Sequence, residues 1–227
     1  MPERSAGSQP SARGVALFDM DRTLLRVHSG SLFVRHQRKK GQATLRDSLR
    51  VGYWLLQYSF GVIDAERAAE QALVAFKGRQ ERWLRDECIE LFEDWMRVEI
   101  AEPARLAVAT HRERGDFMAI VTGATRYATR PLADELGIEH VIATELEVAD
   151  GLFTGKVMRP MSYGAGKVVL TERLAVDHGV SLDDATFYSD SITDLPLLER
   201  VRTPVAINPD ARLRRVARKR GWRIEQW

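Results

Sequence analysis

Short apolar runs that end at polar or acidic residues are the feature that most restricts the fold of this chain. Val15–Phe18 leads directly into acidic residues, and similar runs cover Phe117–Val121, Ala185–Tyr188 and Pro204–Ile207. Continuous apolar runs of this length are typical of strands buried on both faces of a parallel sheet. The four runs therefore predict strands of one buried sheet.

Helical patterns lie between the later runs. Thr125–Leu136 and Lys167–His178 each have one, and each is followed by a glycine, Gly137 or Gly179. Glycine at this position favours the C-terminal cap of a helix. Because strands and helices alternate, we predict an α/β, Rossmann-like core with a doubly wound parallel sheet.

The interval between the first two predicted strands has no convincing strand pattern. Near its end, apolar residues recur at helical spacing, at Leu84, Cys88, Leu91, Phe92 and Trp95. We predict an inserted all-helical cap at 29–98, a core formed by 14–28 and 99–227, and a flexible N-terminal tail at 1–13.

Three local elements complete the sequence-based prediction of the fold. Val51–Ile63 is predicted to be a buried helix, and a second helix is predicted to begin with Asp64 as its N-cap and to end before Gly78. The segment Glu145–Val157, with Asp150-Gly151 between alternating halves, predicts a β-hairpin.

Composition and charge limit the function classes. A chain of 227 residues with 44% hydrophobic content can form one substantial core and a smaller accessory unit. Its formal net charge of +2 gives no reason to expect a nucleic-acid partner. No apolar stretch approaches the roughly 20 residues of a transmembrane helix. The single cysteine, Cys88, cannot form an intramolecular disulfide, so a cytoplasmic location is expected.

The first chemical motif is Asp19-Met20-Asp21-Arg22-Thr23, directly after the first predicted strand. Its carboxylates are expected at the carboxyl edge of the sheet, where open α/β sheets bind ligands. A turn or a helix N-cap with two solvated acids is the ordinary alternative.

Thr122-Gly123 follows the second predicted strand and is expected to open the next helix. A hydroxyl and free backbone N–H groups there form a phosphate site, although Thr is also an ordinary N-cap. Lys167 lies near another predicted helix start, after Gly164-Ala165-Gly166. Taken alone, Lys167 is more typical of a solvated surface lysine.

Asp190 and Asp194 lie four residues apart after the third predicted strand. One carboxylate of such a pair can bind a hard cation and the other its bound water, although helix capping uses the same residues. All four motifs occur in order at strand ends or helix starts, which favours one shared site.

The four motifs together resemble the haloacid dehalogenase superfamily, in particular subfamily IB, the phosphoserine-phosphatase-like branch with a helical cap after the first motif. The similarity covers about residues 15–208. It implies a phosphoric monoester hydrolase in which Asp19 is the nucleophile and Asp21 the general acid and base. Thr122 and Lys167 correspond to phosphoryl-binding catalytic groups, and Gly123 lies in the substrate-binding segment.

The same resemblance implies Mg²⁺ as the cofactor and a small phosphorylated metabolite as the substrate. Asp19, Asp21 through its backbone carbonyl, Asp190 and Asp194 correspond to the metal-binding residues. His28 stands where the phosphoserine enzymes have a glutamate that binds the substrate amine. Phosphoserine specificity therefore stays open, with histidinol phosphate and lysophospholipid-type phosphates as candidates.

Three other functions are compatible with parts of this pattern. A response-regulator receiver domain also groups aspartate, Thr or Ser, and Lys around Mg²⁺, but it lacks a helical insertion of some seventy residues. A non-catalytic metal-binding or signalling module gives Asp21 and Lys167 no purpose. Transfer of the phosphoryl group to an acceptor other than water shares the covalent intermediate and stays open.

Overall fold

A computed structural model describes residues 14–41 and 76–227. The predicted tail at 1–13, the helix predicted at Val51–Ile63 and most of the helix predicted from Asp64 lie outside the described residues. Within the described ranges, no helix is both long enough and apolar enough to cross a bilayer.

One six-stranded sheet forms the centre of the fold, and every neighbouring pair of its strands is parallel. The strand order is β3-β2-β1-β6-β7-β8. The strands are β1 Val15–Phe18, β2 Phe117–Thr125, β3 His140–Thr144, β6 Ala185–Ser189, β7 Thr203–Ile207 and β8 Arg223–Glu225. The predicted doubly wound α/β core is therefore confirmed.

Helices cover both faces of this sheet and also form the described part of the insertion after β1. They are α1 Ser29–Lys39, α2 Glu81–Leu91, α3 Glu102–Glu113, α4 Arg126–Leu136, α5 Ala165–His178, α6 Leu195–Arg200 and α7 Ala211–Arg220. Successive side chains of β1 point to opposite faces, so Phe18 joins the core under α3 and α4 while Leu17 joins the core under α5, α6 and α7. Gly137 and Gly179 end α4 and α5 in the left-handed conformation that the sequence predicts.

The described parts of the insertion after β1 are helical. Buried Glu87 of α2 joins it to α1 by accepting hydrogen bonds from Gln37 and Lys40. After α2, one π-helical turn at Phe92–Met96 and a 3₁₀ turn at Arg97–Glu99 lead towards α3. Cys88 lies on the buried face of α2, as predicted.

The predicted β-hairpin is also confirmed. Its strands are β4 Leu146–Ala149 and β5 Leu152–Val157, and Asp150 and Gly151 between them have φ values of 51° and 76°. Positive φ at both turn residues matches the right-handed twist of the flanking strands. Phe153 of this hairpin packs against α2, so the hairpin contacts the insertion.

One detail of the sequence-based prediction is wrong, and two strands are missing from it. Thr122-Gly123 does not open a helix, because β2 continues to Thr125, where it pairs with Thr144 of β3 after a register shift. The N-cap of α4 is Thr125, whose hydroxyl accepts from the Ala128 amide. Strands β3 and β8 were not predicted.

Candidate active site

The predicted site residues meet at the carboxyl ends of β1, β2 and β6, in the middle of the sheet. The Asp19 amide donates to the Tyr188 carbonyl at 2.9 Å, which continues the β1–β6 ladder into the loop. These loops line a cavity of about 490 Å³ whose other side is formed by α1, α2 and α4. The geometry places both Asp19 and Asp21 on the cavity surface.

Lys167 joins two of the predicted carboxylates. Its Nζ donates to Asp19 Oδ1 at 2.8 Å and to Asp194 Oδ2 at 2.7 Å. Ser189 Oγ donates to the same Asp194 oxygen at 2.7 Å. All four residues are buried, so these charge-assisted bonds fix the Asp19 carboxylate at the cavity.

Gly166 explains how Lys167 reaches that position. A Cβ on Gly166 would lie 2.0 Å from the Met161 carbonyl oxygen, which is too close for any residue that has a Cβ. Only glycine lets the first turn of α5 pack this closely under the preceding loop. The position before Lys167 therefore requires glycine for steric reasons. The Lys167 side chain is directed into the core and away from solvent.

Burial dominates the electrostatics of the nucleophile candidate. Burial raises the pKa of Asp19 to about 7, and the Asp194 charge adds to the rise while Lys167 opposes it. Burial alone would lower the pKa of Lys167, but the charges of Asp19 and Asp194 outweigh it and raise that pKa. Lys167 therefore stays charged at neutral pH.

Asp21 is held at the start of α1. Its Oδ1 accepts a hydrogen bond from the Ser29 amide at 2.9 Å, and its Oδ2 lies 3.9 Å from Nδ1 of His28. The Asp21 side chain is 28% exposed, in contrast to the buried Asp19. A carboxylate that reaches solvent and lines the cavity can exchange a proton with a bound ester or with water.

Thr122 and Gly123 line the cavity from the end of β2. The Thr122 hydroxyl accepts a hydrogen bond from the Ala124 amide at 3.2 Å, which leaves its own proton available to a ligand oxygen. Gly123 is anchored by its carbonyl, which accepts from Thr144 Oγ1 at 2.8 Å. The pair keeps its predicted place at the site although it lies in a strand.

A divalent cation fits the charges of this site. Burial raises the pKa of Asp190 well above its ordinary value, and the neighbouring charges of Asp19 and Asp194 raise it further. The four predicted metal-binding aspartates line the cavity. Among the described lining residues, the positively charged side chains are those of Lys167 and Arg22, and His28 also lines the cavity. Arg22 Nε lies 3.3 Å from Asp190 Oδ2. Carboxylate oxygens are the kind of ligand that Mg²⁺ prefers, and a cation would offset the surplus of negative charge.

Sequence reasoning missed the residues that hold the site loops together. Asp210 caps α7 with one oxygen and accepts from the Ile192 amide with the other, which ties the α7 start to the loop after β6. Asn208 donates to the Arg22 carbonyl at 3.2 Å and so holds the loop after β1. Ser189 directly precedes Asp190 in the sequence, but nothing in its spacing shows its bond to Asp194.

Comparison with known proteins places this geometry in a family. The model of the haloacid dehalogenase-like hydrolase family matches residues 16–199. A phosphoserine phosphatase, SerB1, of Mycobacterium tuberculosis is 33% identical over all of this chain and 76% of its own length. A histidinol-phosphatase of Neisseria meningitidis is 28% identical over 93% of this chain and 98% of its own.

A solved structure shares the fold of this chain. The crystal structure of a protein of unknown function from Bordetella pertussis matches with a TM-score of 0.85 and 34% identity, over 95% of this chain and 99% of that one. The agreement extends over the α/β sheet and nearly the whole chain. The chain therefore belongs to the haloacid dehalogenase-like hydrolase family, in its phosphoserine-phosphatase-like branch, and is a phosphoric monoester hydrolase.

Proposed function

We propose that this chain is a Mg²⁺-dependent phosphatase that hydrolyses a small phosphomonoester through an aspartyl-phosphate on Asp19. One observation carries the proposal: the Asp19 carboxylate lies at a strand end on a cavity, with one oxygen bonded to the buried Lys167. Lys167 holds the carboxylate in place and supplies positive charge for the phosphoryl oxygens. No structural role requires a lysine and three buried aspartates at this edge of the sheet.

The chemistry follows from the positions of the two motif aspartates. An Asp19 oxygen attacks phosphorus while the bond to the leaving oxygen breaks, and Asp21 gives its proton to that oxygen. Asp21 then takes a proton from water, whose oxygen attacks the aspartyl-phosphate and releases phosphate and free Asp19. The Thr122 hydroxyl and the Gly123 segment bind phosphoryl oxygens in both steps.

Mg²⁺ would be held by Asp19, the Asp21 backbone carbonyl and Asp190, with Asp194 as the second member of the metal-binding pair. When bound, it supplies positive charge that lowers the repulsion between a carboxylate and a phosphate dianion. In the described structure, Asp194 already holds Lys167 through Oδ2. Its role at the metal is therefore proposed together with a role in positioning the lysine.

Residues 29–98 are proposed to act as a cap that covers this cavity and limits access to it. Helices α1 and α2 of this segment supply part of the cavity lining, which supports the proposal. A covered cavity favours a small phosphorylated metabolite over a phosphoprotein or nucleic acid. The free, buried Cys88 is compatible with the proposed cytoplasmic location.

Phosphate release from a broad panel of metabolites, with Mg²⁺ and with excess chelator, tests the proposal. We expect release only with the metal, and acid quenching should trap phosphate on the Asp19 peptide. Undiminished release in chelator, or no release from any ester with Mg²⁺, would contradict it. Adding alcohols such as glycerol and measuring new esters separates hydrolysis from phosphoryl transfer, because both share the trapped intermediate.

A further inference from the structure

The two ends of the cavity differ in chemistry. At the phosphoryl end lie Asp19, Asp21, Thr122, Lys167, Asp190 and Asp194. Facing them is an apolar wall, formed by Phe33, Phe76, Leu84, Cys88, Leu91 and Ala128. Three of the wall residues lie on one face of α2, at spacings of four and three, and are 3% exposed or less.

The apolar wall is backed by further aromatic packing. The Phe76 ring lies 6.4 Å from that of Phe33, 5.9 Å from that of Trp83 and 6.2 Å from that of Phe153. Phe153 comes from the β-hairpin, so this side of the cavity is packed from two elements. A wall supported in this way keeps its shape when a ligand enters.

The apolar wall also carries no charge at neutral pH. Burial raises the pKa of Cys88 to about 12, so its thiol stays neutral. Cys88 and Tyr163 are ionisable and line the cavity. The other described lining residues with ionisable side chains lie at the phosphoryl end or on the loops beside it, and those on the loops are Arg22, His28 and Asp210. Arg22 approaches Asp190, and His28 approaches Asp21.

We infer that the substrate is a phosphomonoester of an apolar alcohol, whose hydrocarbon part lies against the apolar wall while its phosphate lies at the phosphoryl end. This inference rests on the proposed phosphatase function and narrows its substrate class. An apolar leaving group gains affinity from each methylene removed from water. An ammonium or carboxylate against Phe33, Phe76 and Leu84 loses its hydration, and the described residues of the wall offer it no opposite charge.

A chain-length series tests the inference. We would measure kcat/KM with Mg²⁺ for methyl, propyl, pentyl and heptyl phosphate, beside phosphoserine as the charged three-carbon ester. We expect a rise of about three- to fourfold per methylene while the wall has room. Phosphoserine should fall at least tenfold below propyl phosphate. A flat series, or phosphoserine equal to propyl phosphate, overturns the inference.

Variants of the wall separate this effect from general catalysis. Leu84→Gln and Phe33→Ser should reduce the dependence on chain length, while Val176→Gln, at an 80% exposed position of α5, should keep it. Phe33 is only partly buried, so its variant tests the wall even if Leu84→Gln does not fold. If each wall variant that folds keeps the wild-type dependence on chain length, the inference is wrong.

Binding of n-alkylphosphonates to the wild-type chain distinguishes this inference from the phosphatase proposal, because it needs no turnover. Calorimetry should show Kd falling about three- to fourfold per methylene. Rising affinity without hydrolysis of any ester would retain the apolar wall as a binding surface and reject the phosphatase proposal. Hydrolysis with an affinity that does not depend on chain length would support the phosphatase proposal and reject the inference about the apolar wall.

Discussion

The phosphoryl end and the apolar wall are held in place by different forces. At the phosphoryl end, Lys167 bonds both Asp19 and Asp194 within 2.8 Å, so single atoms decide the geometry. The apolar wall depends on packed rings and aliphatic groups, whose contacts are individually weak and tolerate similar shapes. A substitution at the phosphoryl end should therefore change the turnover of every ester alike. A substitution in the apolar wall should change turnover by an amount that depends on the ester.

Asp19→Asn is expected to have the largest effect, because it removes the attacking oxygen from the phosphoryl end. We expect kcat to fall about 10⁴-fold or more for every ester, with circular dichroism unchanged. Asp177→Asn, an exposed aspartate of α5, is the matched control and should keep wild-type kcat. Substantial turnover by Asp19→Asn, with phosphate trapped elsewhere, would transfer the nucleophile role to another residue.

Lys167→Met should have the next largest effect, since it leaves Asp19 and Asp194 buried without their shared cation. We expect kcat to fall about 10²- to 10³-fold, again for all esters. The free energy of unfolding at neutral pH should fall by about 3–5 kcal/mol, measured with denaturant. The control is Lys219→Met on the exposed face of α7. A Lys167→Met protein with normal stability would show that the lysine does not balance these charges.

Metal binding should stabilise the chain more at pH 8 than at pH 6. Burial raises the pKa of Asp19 from 3.8 to about 7, so between those values the folded chain holds a proton that the unfolded chain releases. The contribution of Asp19 to the free energy of unfolding without metal therefore decreases as pH rises from about 4 to about 7. Mg²⁺ competes with that proton, and the raised pKa of Asp190 acts in the same direction.

Thermal melts with and without Mg²⁺ check this difference. We expect an increase in Tm of several degrees at pH 8 and a smaller one at pH 6. Asp190→Asn should remove most of the increase, whereas Asp177→Asn should keep it. An equal increase at both pH values would mean that protons and metal do not compete at these aspartates.

The strands that the sequence predicts are those with continuous apolar runs, such as Val15–Phe18. Strand β8, with Arg223 and Glu225 around Ile224, lies at the sheet edge and carries no such signal. Thr122-Gly123 misled the prediction because local turn preference favoured a helix start, whereas pairing with β3 extends the strand. Tertiary pairing decided both cases, and a single sequence does not show it.

The site is predictable where chemistry and position coincide. Asp19 and Asp190 are predicted site residues because they follow apolar strands, whereas Lys167 is assigned only through the resemblance of the whole motif set. The apolar wall could not be recognised in the same way, since Phe33 and Leu84 are ordinary apolar residues on separate helices. Their shared place on the cavity depends on how α1 and α2 pack against each other and how α2 packs against α4.

His28→Glu should have the smallest effect and tests where the two ends of the cavity meet. His28 Nδ1 lies 3.9 Å from Asp21 Oδ2, so a glutamate there adds a second negative charge beside Asp21 and should lower kcat for all esters. The ratio of kcat/KM for phosphoserine to that for propyl phosphate cancels this shared loss. We expect the ratio to rise about three- to tenfold, because the new carboxylate can pair with the substrate ammonium.

His28→Gln, which has no charge, should leave the ratio unchanged. An unaltered ratio in His28→Glu would place the ammonium of bound phosphoserine away from residue 28 and leave selectivity to the apolar wall.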